Sequence, residues 1–222
     1  MSGRVSYLGG IVKDGLVLDL DAGKLDSYNR LGTTWNDVSG NGNNGTLTNF
    51  SSPSPQTIWN SNNGGSILFD GVDDYVSISD INFTTTTIDI WVYVNAYAIA
   101  GQGTVFIYQL GNGFEIWSNN VGLIRYNKNS TTTLTSGSGF SLNTWNNIVA
   151  TSNGTTNTLY LNGVSIGSNA GGIFDNTSGD IRISGYGGYY LNGRCPLLKM
   201  YNRGLTISEV LQNYNATKGR YL

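Results

Sequence analysis

The chain has 222 residues, of which 39% are hydrophobic and only 12% are charged. Its 12 basic residues stand singly among 14 acidic ones, which argues against the clustered cationic surface of a nucleic-acid-binding protein. The lack of histidine excludes Ser-His and Cys-His nucleophile pairs and histidine-ligated metal sites. The single cysteine, Cys195, allows no internal disulfide, and we interpret it as a small buried side chain.

Membrane and export signals are not found in the sequence. No apolar run approaches the roughly 18 residues of a membrane-spanning helix. The N-terminal stretch MSGRVSYLGGIVKDG has one arginine but lacks the apolar segment of a signal peptide. We therefore expect no membrane span, and a protein made in a cytoplasm or released from one by other means.

Short runs of β-branched, aromatic and alternating apolar residues predict about a dozen strands. In chain order, the predicted strands cover residues 16–20, 67–69, 75–78, 88–94, 105–110, 114–117, 123–126, 145–150, 159–161, 164–166, 181–183 and 197–201. Asn-Gly, Gly-Asn, Asp-Gly and Ser-Gly pairs between them supply the positive φ angles of tight turns. No long helix alternates with these strands, so the pattern favours a sandwich or barrel over a doubly wound parallel sheet.

One helix is predicted near the end of the chain, over residues 206–215. Thr206 and Glu209 form a capping box, with Thr206 as the N-cap and Glu209 at the third helical position. Apolar side chains at helical spacing define its predicted packing face: Ile207, Val210, Leu211 and Tyr214. A helix this short is not stable alone, so we expect it to pack on the sheets.

Several segments, in this order, resemble the laminin-G-like branch of the concanavalin A-like lectin/glucanase superfamily. They are DVSGNGNNGT (37–46), SILFDGVDDYVSI (66–78), IDIWVYV (88–94), TWNNIV (144–149), LYLNGVSIG (159–167) and KMYNRGLTISEVLQNY (199–214). The resemblance covers nearly the whole chain. It implies an all-β fold, a two-sheet antiparallel jelly-roll sandwich with one short C-terminal helix.

We divide the chain into an N-terminal arm, residues 1–10, and one laminin-G-like jelly-roll domain, residues 11–222. The arm is interpreted as a docking segment. The domain departs from the family pattern at Arg194-Cys195-Pro196, where the family usually carries an acidic or small residue. Because proline cannot donate to a strand ladder, Pro196 predicts either the first residue of a strand or a bulge.

The two ends of the chain resemble virion structural proteins of tailed bacteriophages, especially marine and cyanobacterial phages. The matching segments are GGIVKDGLVLDLDAGKLDSY (9–28) and YNRGLTISEVLQNYNATKGRY (201–221). This resemblance implies a capsid decoration protein or a fibre or spike subunit, assembled in the host cytoplasm. Its partners would be other virion proteins, further copies of the chain (a trimer would suit a fibre) and host-surface glycans bound weakly. The alternative is a free-standing bacterial carbohydrate-binding or adhesin domain.

Related glucanases raise glycoside hydrolysis as a further alternative. That reaction needs two facing carboxylates, about 5–5.5 Å apart in retaining enzymes. The chain lacks the Glu-x-Asp-x-Glu pattern of these enzymes: Glu115 stands alone, and Glu209 is explained as a helix cap. Asp73 and Asp74 are adjacent, and neighbours on a strand point to opposite faces. We therefore predict that the protein is not an enzyme and has no catalytic residues.

Two loops are rich in the oxygen ligands that calcium prefers. The candidate calcium ligands are Asp37, Asn41, Asn43, Asp70, Asp73 and Asp74. The superfamily resemblance implies a structural calcium in loops of this kind, and calcium is the one candidate cofactor. The alternative interpretation is that these side chains only build turns by bonding their own backbone.

A sugar site needs flat aromatic faces beside hydroxyl and amide groups. The candidate carbohydrate-binding residues are Tyr186, Tyr189, Tyr97 and Trp59. The first two lie in a glycine-rich loop, SGYGGYY (184–190). The alternative interpretation is that tyrosines on sheet faces serve in packing, with the hydroxyl hydrogen-bonded. The remaining tryptophans lie in predicted strands or motifs and are expected in the core: Trp35, Trp91, Trp117 and Trp145.

Overall fold

The structure is a computed structural model that describes residues 10–50, 58–82, 84–98, 103–111, 113–128, 131–171 and 179–222. Its strands are β1 (Leu16–Asp21), β2 (Thr34–Trp35), β3 (Gly45–Thr48), β4 (Trp59–Asn60), β5 (Ser66–Asp70), β6 (Tyr75–Ile78), β7 (Thr86–Ala96), β8 (Thr104–Gln109), β9 (Phe114–Ser118), β10 (Leu123–Lys128), β11 (Thr131–Gly139), β12 (Trp145–Ser152), β13 (Thr156–Leu161), β14 (Val164–Ala170), β15 (Ile181–Ile183) and β16 (Asn192–Tyr201). Helix α1 (Ile207–Thr217) follows, and short 3-10 turns occupy Asn62–Gly64 and Lys218–Arg220.

The strands form two eight-stranded sheets. Sheet A has the order β14-β13-β12-β7-β16-β5-β4, and β1 also pairs with β16. Sheet B has the order β11-β10-β9-β8-β15-β6-β3-β2. The ladders between these strands are antiparallel. The expected two-sheet antiparallel sandwich with one short C-terminal helix is confirmed.

Each predicted strand is present, but four further strands were not predicted. Two of them, β2 and β4, are only two residues long, and β2 ends sheet B while β4 ends sheet A. The other two, β3 and β11, have the sequences GTLT and TTTLTSGSG, which lack an alternating apolar pattern. Pairing with a neighbouring strand, rather than the local sequence, defines these four strands.

The main core lies between the sheets and is filled by alternate residues of each strand. Sheet A contributes Leu18 and Leu20 from β1, and sheet B contributes Phe114 and Ile116 from β9; all four side chains are buried. Cys195 is also buried here, as expected. The ladder between β16 and β7 shifts register between Arg194 and Leu197, so Pro196 lies in a bulge, one of the two predicted positions.

Helix α1 covers the outer face of sheet A. Its capping box is confirmed, because Glu209 N donates to Thr206 Oγ1 and Thr206 N donates to Glu209 Oε2. The predicted packing face is wrong in part: Ile207 and Leu211 are exposed by 59% and 44%. Val210 is buried as predicted, and Tyr214 stacks on Trp91. The helix also buries two polar residues that were not predicted to pack, Asn213 and Thr217.

A row of charged side chains explains why a polar face of the helix is buried. Asp19 of β1, Lys199 of β16 and Asp89 of β7 are cross-strand neighbours, and all three are buried. Asn213 of the helix and Asn147 of β12 both donate to the Asp89 carboxylate, at 3.2 and 2.7 Å. Burial lowers the pKa of Lys199 and raises that of Asp89. Asn213 faces inward because it supplies a hydrogen bond to a buried carboxyl group.

The first described residues pack against the same helix. Val12 N donates to Asn213 Oδ1 at 2.8 Å, and Gln212 Nε2 donates to the Gly10 carbonyl at 2.8 Å. The predicted N-terminal arm lies outside the described residues except for Gly10, so the division at residue 10 stays a prediction. In the part of the chain that the structure describes, no helix is long and apolar enough to cross a membrane.

Candidate functional site

The outer face of sheet B carries a groove of about 590 Å³. Strands β8, β9 and β10 form its floor, and the loop that follows β15 forms one wall. The lining residues are Val105, Glu115, Trp117, Asn119, Asn120, Arg125, Tyr186 and Tyr189. The groove therefore combines three aromatic side chains with a carboxylate, a guanidinium group and two amides.

Strand alternation places the floor residues. Phe114 and Ile116 of β9 point into the core, so Glu115 and Trp117 point outward, where both are half-buried. Arg125 of β10 is the cross-strand neighbour of Trp117 and shares its face. The expectation that Trp117 belongs to the core is wrong, because it occupies the outward position of a strand whose outer face has no helix over it among the described residues.

Glycines shape the loop that carries Tyr186 and Tyr189. Gly187 and Gly188 adopt φ angles of +58° and +91°, a region that favours glycine. The Tyr189 N–H donates to the Tyr186 carbonyl at 2.8 Å, and the Tyr189 carbonyl accepts the Val105 N–H at 3.1 Å. These bonds fasten the loop to β8 and hold both tyrosines at the groove, with Tyr186 exposed by 45%.

The hydroxyl of Tyr108 supports the same loop from below. It donates to the Gly185 carbonyl at 2.7 Å and accepts a hydrogen bond from Arg182 Nη1 at 3.2 Å. The Tyr108 and Tyr186 rings lie 5.1 Å apart in a tilted arrangement. The burial of Tyr108 raises the pKa of its hydroxyl, which stays a hydrogen-bond donor at neutral pH.

The polar groups of the groove differ in how they are engaged. Asn127 Nδ2 donates to Glu115 Oε2 at 2.8 Å. Asn119 Oδ1 accepts the N–H groups of Val121 and Leu123 and so builds the turn before β10. The Arg125 guanidinium lies over the Trp117 ring, 4.9 Å from its centroid. Glu115 and Asn119 are thereby fixed by neighbouring groups, whereas Arg125 forms no ion pair with a described residue.

The other two candidate sugar-binding residues lie outside the groove. Tyr97 packs edge-on against Phe140 at 6.1 Å. Trp59 donates its indole N–H to the Ala22 carbonyl at 2.9 Å, and Arg30 covers its ring at 4.2 Å. The structure brings Tyr186 and Tyr189 together with Trp117, and it leaves Tyr97 and Trp59 in separate packing environments.

The first candidate calcium loop is held together by its own hydrogen bonds. Asp37 Oδ1 accepts the N–H groups of Asp19 and Ser39, and Oδ2 accepts the Ser39 hydroxyl and the Asn43 N–H. The amides of Asn41 and Asn43 donate to carbonyls of β1 at 3.2 and 2.8 Å. With four donors on its carboxylate, Asp37 fits the turn interpretation.

The second candidate loop gathers three carboxylates between β5 and β6. Oxygens of Asp70, Asp73 and Asp74 lie within 4.8 Å of one another. The expectation that Asp73 and Asp74 point apart is wrong, because both precede β6 and lie in a turn rather than a strand. Asp74 Oδ1 is buried without a hydrogen-bond partner in the described chain, and burial raises the Asp74 pKa to about 6. Three convergent carboxylates, of which Asp74 has an oxygen without a hydrogen-bond donor, are a ligand set that suits calcium.

Comparison with known families identifies the superfamily of this chain. The family described as the concanavalin A-like lectin/glucanases superfamily matches residues 70–211. The chain belongs to this superfamily. No curated protein matches it.

Solved structures of low sequence identity share the superfamily fold. The binding domain of Paraclostridial Mosquitocidal Protein 1 is 19% identical, with a TM-score of 0.68 over 92% of this chain and 52% of that one. Domain 4 of AbnA, an extracellular arabinanase from Geobacillus stearothermophilus solved with arabinotriose, is 17% identical, with a TM-score of 0.67 over 90% and 98%. The botulinum neurotoxin serotype D/C binding domain is 14% identical, with a TM-score of 0.69 over 92% and 53%. The chain thus spans about half the length of the toxin domains and nearly all of the arabinanase domain.

The aromatic loop of the groove was predicted from the sequence, but the residues of its floor were not. Trp117 and Arg125 were not predicted as site residues, and Glu115 was considered only as a catalytic carboxylate. The alternation Phe-Glu-Ile-Trp in β9 is the signal that could have found two of them, because it puts Glu115 and Trp117 on one face. Arg125 joins them only through strand pairing, which the local sequence does not encode.

Proposed function

We propose that this domain binds carbohydrate in the groove on the outer face of sheet B. The observation that carries the proposal is the convergence of Trp117, Tyr186 and Tyr189 on one cleft that also holds Glu115 and Arg125. Sugar rings present apolar C–H faces, which stack on aromatic rings, and hydroxyl groups, which pair with charged and amide groups. The groove volume of about 590 Å³ falls in the usual range of ligand sites and would hold a short oligosaccharide.

Three similar structures support this proposal by their own ligand or name. The arabinanase domain was solved in complex with arabinotriose. The mosquitocidal and botulinum toxin domains are described as binding domains. A binding role on the same fold is therefore expected here, and the groove supplies a place for it.

Binding without cleavage is the second part of the proposal. Glycoside hydrolysis takes two facing carboxylic acids. Glu115 is the one carboxylate among the residues that line the groove. Its neighbours across the ladder are Tyr108 and Asn127, so the adjoining strands place no second carboxylate opposite it.

A glycan array probed with the wild-type domain and two variants tests the proposed site. Tyr186→Ala removes an exposed groove ring, and Leu31→Ala removes an apolar side chain of similar exposure, 60%, in the loop before β2. We expect the wild type and Leu31→Ala to give the same array pattern and Tyr186→Ala to lose it. Equal patterns for all three proteins, or no bound glycan for the wild type, would contradict the proposal.

We further propose that the domain is a virion component that displays this groove. The contacts of Gly10 and Val12 with α1 bring the two ends of the described chain to the outer face of sheet A, opposite the groove. That helix also exposes Ile207 and Leu211, which would suit contact with another virion protein or a second copy. The alternative is a free-standing bacterial carbohydrate-binding or adhesin domain.

Sedimentation of the full chain tests the docking part of this second proposal. We expect an oligomer that dissociates in the double variant Ile207→Lys/Leu211→Lys, whereas Val164→Lys, at a site exposed by 65%, leaves it intact. Mass spectrometry of purified phage particles would detect the chain if it is a virion protein. A monomer that is also missing from particles would favour the free-standing alternative.

Calcium is proposed as a structural ion at Asp70, Asp73 and Asp74. The support is the buried Asp74 Oδ1, which lies among the other carboxylates of the loop without a hydrogen-bond donor. An ion there would hold the turn that links β5 of sheet A to β6 of sheet B. The turn interpretation stands as the alternative for Asp37, Asn41 and Asn43.

A further inference from the structure

The state of Arg125 indicates which class of glycan the groove takes. We propose that the groove selects sugars that carry a carboxylate, such as uronic or sialic acids, and that Arg125 pairs with this carboxylate. The inference rests on the proposed carbohydrate-binding function and deepens it.

Arg125 is a half-buried cation whose charge no described group balances. Its guanidinium lies over the Trp117 ring, its Nε is buried without a hydrogen-bond partner, and no ion pair forms with it among the described residues. Arg182 also has a buried Nε without a partner and lies over an aromatic ring, that of Tyr75, but it does not line the groove. Arg203 and Arg220 are instead fixed by short bonds to carboxylates: Arg203 Nη2 to Glu209 at 2.6 Å and Arg220 Nη1 to Asp21 at 2.8 Å. A partly desolvated cation without a partner is costly unless a ligand completes it.

The geometry at Arg125 suits a carboxylate. A guanidinium carries its N–H donors around the edge of a plane, and the indole lies against its face. Because Arg125 Nε is buried, the donors that face a ligand in the groove are those of Nη1 and Nη2. The same planar edge is complementary to the two oxygens of a carboxylate and forms paired, charge-assisted bonds with them. Trp117 would then back the cation, while the exposed Tyr186 ring would contact the ring of the sugar.

Glu115 does not cancel this preference, because it lies at a different place in the groove. It is two residues from Trp117 on β9, a spacing of about 6.6 Å along the strand. Asn127 Nδ2 donates to its Oε2, and its other oxygen, Oε1, can accept hydrogen bonds from sugar hydroxyls. The groove is therefore polarised, with a cationic end at Arg125 and an accepting end at Glu115.

Paired titrations by calorimetry test the inference. One pair of probes is trigalacturonic acid and its fully methyl-esterified form, which keeps the rings and removes the charge. The second pair is sialyllactose and lactose, which separates sialic from uronic acids as the source of the carboxylate. We expect the acidic member of at least one pair to bind about ten-fold tighter or more. Its affinity should fall with added salt, while that of the neutral member should not.

Variants assign the effect to one residue. Arg125→Gln should equalise the two members of the pair, and Arg125→Lys should retain part of the difference. Arg30→Gln is the matched control, because Arg30 also stacks on a tryptophan, Trp59, but outside the groove. A thermal unfolding midpoint for each variant distinguishes lost folding from lost recognition, and the salt dependence of the wild type needs no variant.

Two outcomes separate the inference from the function on which it rests. If acidic and neutral members bind equally, and Arg125→Gln changes neither, the carboxylate preference is overturned and carbohydrate binding stands. If no member of either pair binds and the glycan array is also empty, both proposals fail.

Discussion

The two outer faces of the sandwich carry similar side chains and put them to different uses. On sheet A, Trp91 and Trp145 point outward but are buried beneath the C-terminal segment, where Tyr221 packs against both at 4.4 and 5.1 Å. On sheet B, Trp117 also points outward, and no helix lies over it in the described chain, so it lines a groove. The cover, rather than the strand sequence, decides whether an outward tryptophan becomes core or binding surface.

Charged groups differ between the faces in the same way. Under the helix, Asp21 receives two bonds from Arg220, at 2.8 and 2.9 Å, and Asp89 receives two amide donors. At the groove, Arg125 Nε and the Trp117 indole N–H are buried without a hydrogen-bond partner in the described chain. On the covered face the carboxylates of Asp21 and Asp89 have partners within the protein, and the atoms left without one, Asn147 Oδ1 and the Tyr221 hydroxyl, are buried. On the open face, Arg125 and Trp117 line a groove that a ligand can enter.

The largest expected effect comes from removing the cation of the covered face. Lys199→Met breaks the buried ion pair between Lys199 Nζ and Asp19 Oδ1, which lie 3.8 Å apart, and removes the positive charge that acts on buried Asp89. Breaking a buried ion pair typically costs about 3–5 kcal/mol. Urea unfolding should show a loss of that size. Lys13→Met, at an exposed position, should change the free energy of unfolding by less than about 0.5 kcal/mol. Similar small losses for both variants would mean that the buried charges do not hold the covered face together.

On the open face, the matching change affects binding rather than folding. Trp117→Ala should weaken the tightest glycan of the array by about 30-fold or more, the usual cost of losing a central aromatic contact. Its unfolding free energy should fall less than that of a Trp91→Ala variant, because Trp91 is fully buried and Trp117 is not. Calorimetry and urea unfolding measure the two effects. A Trp117→Ala variant that binds normally would remove the distinction between the faces.

Calcium should act at the turn that links the two sheets. At ten times its dissociation constant, the ion would stabilise the fold by about 1.4 kcal/mol. Because the Asp74 pKa is raised from 3.8 to about 6, the ionised group destabilises the ion-free protein, and this effect grows as pH rises through that interval. We therefore expect a larger calcium shift in the unfolding midpoint at pH 7.5 than at pH 5.

Asp74→Asn is the variant that isolates this site. It should abolish the calcium shift and raise the ion-free midpoint at pH 7.5. Asp37→Asn, in the other candidate loop, should keep the calcium shift while it destabilises the turn. A calcium shift that survives Asp74→Asn would move the ion away from this loop.

The smallest expected effect comes from weakening helix α1, which covers the outer face of sheet A. Thr206→Ala removes the N-cap of α1 and should cost about 1 kcal/mol. Glu209 adds a pH dependence, because its bonds with Arg203 lower its pKa from 4.5 to about 2. Its contribution is complete above pH 4.5 and is lost as pH falls towards 2. Glu209→Gln should flatten the stability profile in that interval, and an unchanged profile would exclude the ion pair as its cause.

Local sequence predicted the parts of this molecule in which neighbouring residues determine structure. The alternating apolar runs and the Thr206–Glu209 capping box are such signals, and the strands and the helix cap they predict are present. The two-residue strands β2 and β4 could not be predicted, because only pairing with β3 and β5 defines them.

The residues of the candidate site also differ in whether the local sequence predicts their position. The glycine-rich loop with Tyr186 and Tyr189 is local, and the sequence indicated it. The position of Arg125 beside Trp117 depends on the register of β10 against β9, and the inward turn of Asn213 depends on Asp89 across sheet A. Neither contact has a counterpart in the local sequence, so the groove floor and the buried helix face required the structure.

The tryptophan indole signals of an NMR titration show whether the groove on sheet B binds the glycan. The chain has five tryptophans, each of which gives one assignable indole N–H signal. During titration with the tightest glycan of the array, we expect a large shift of the Trp117 signal. The signals of Trp35 and Trp91, which are buried away from the groove, should not shift. If the Trp117 signal stays fixed while the Trp59 signal moves, the glycan binds near Trp59 and not in the groove, which would contradict the proposed site.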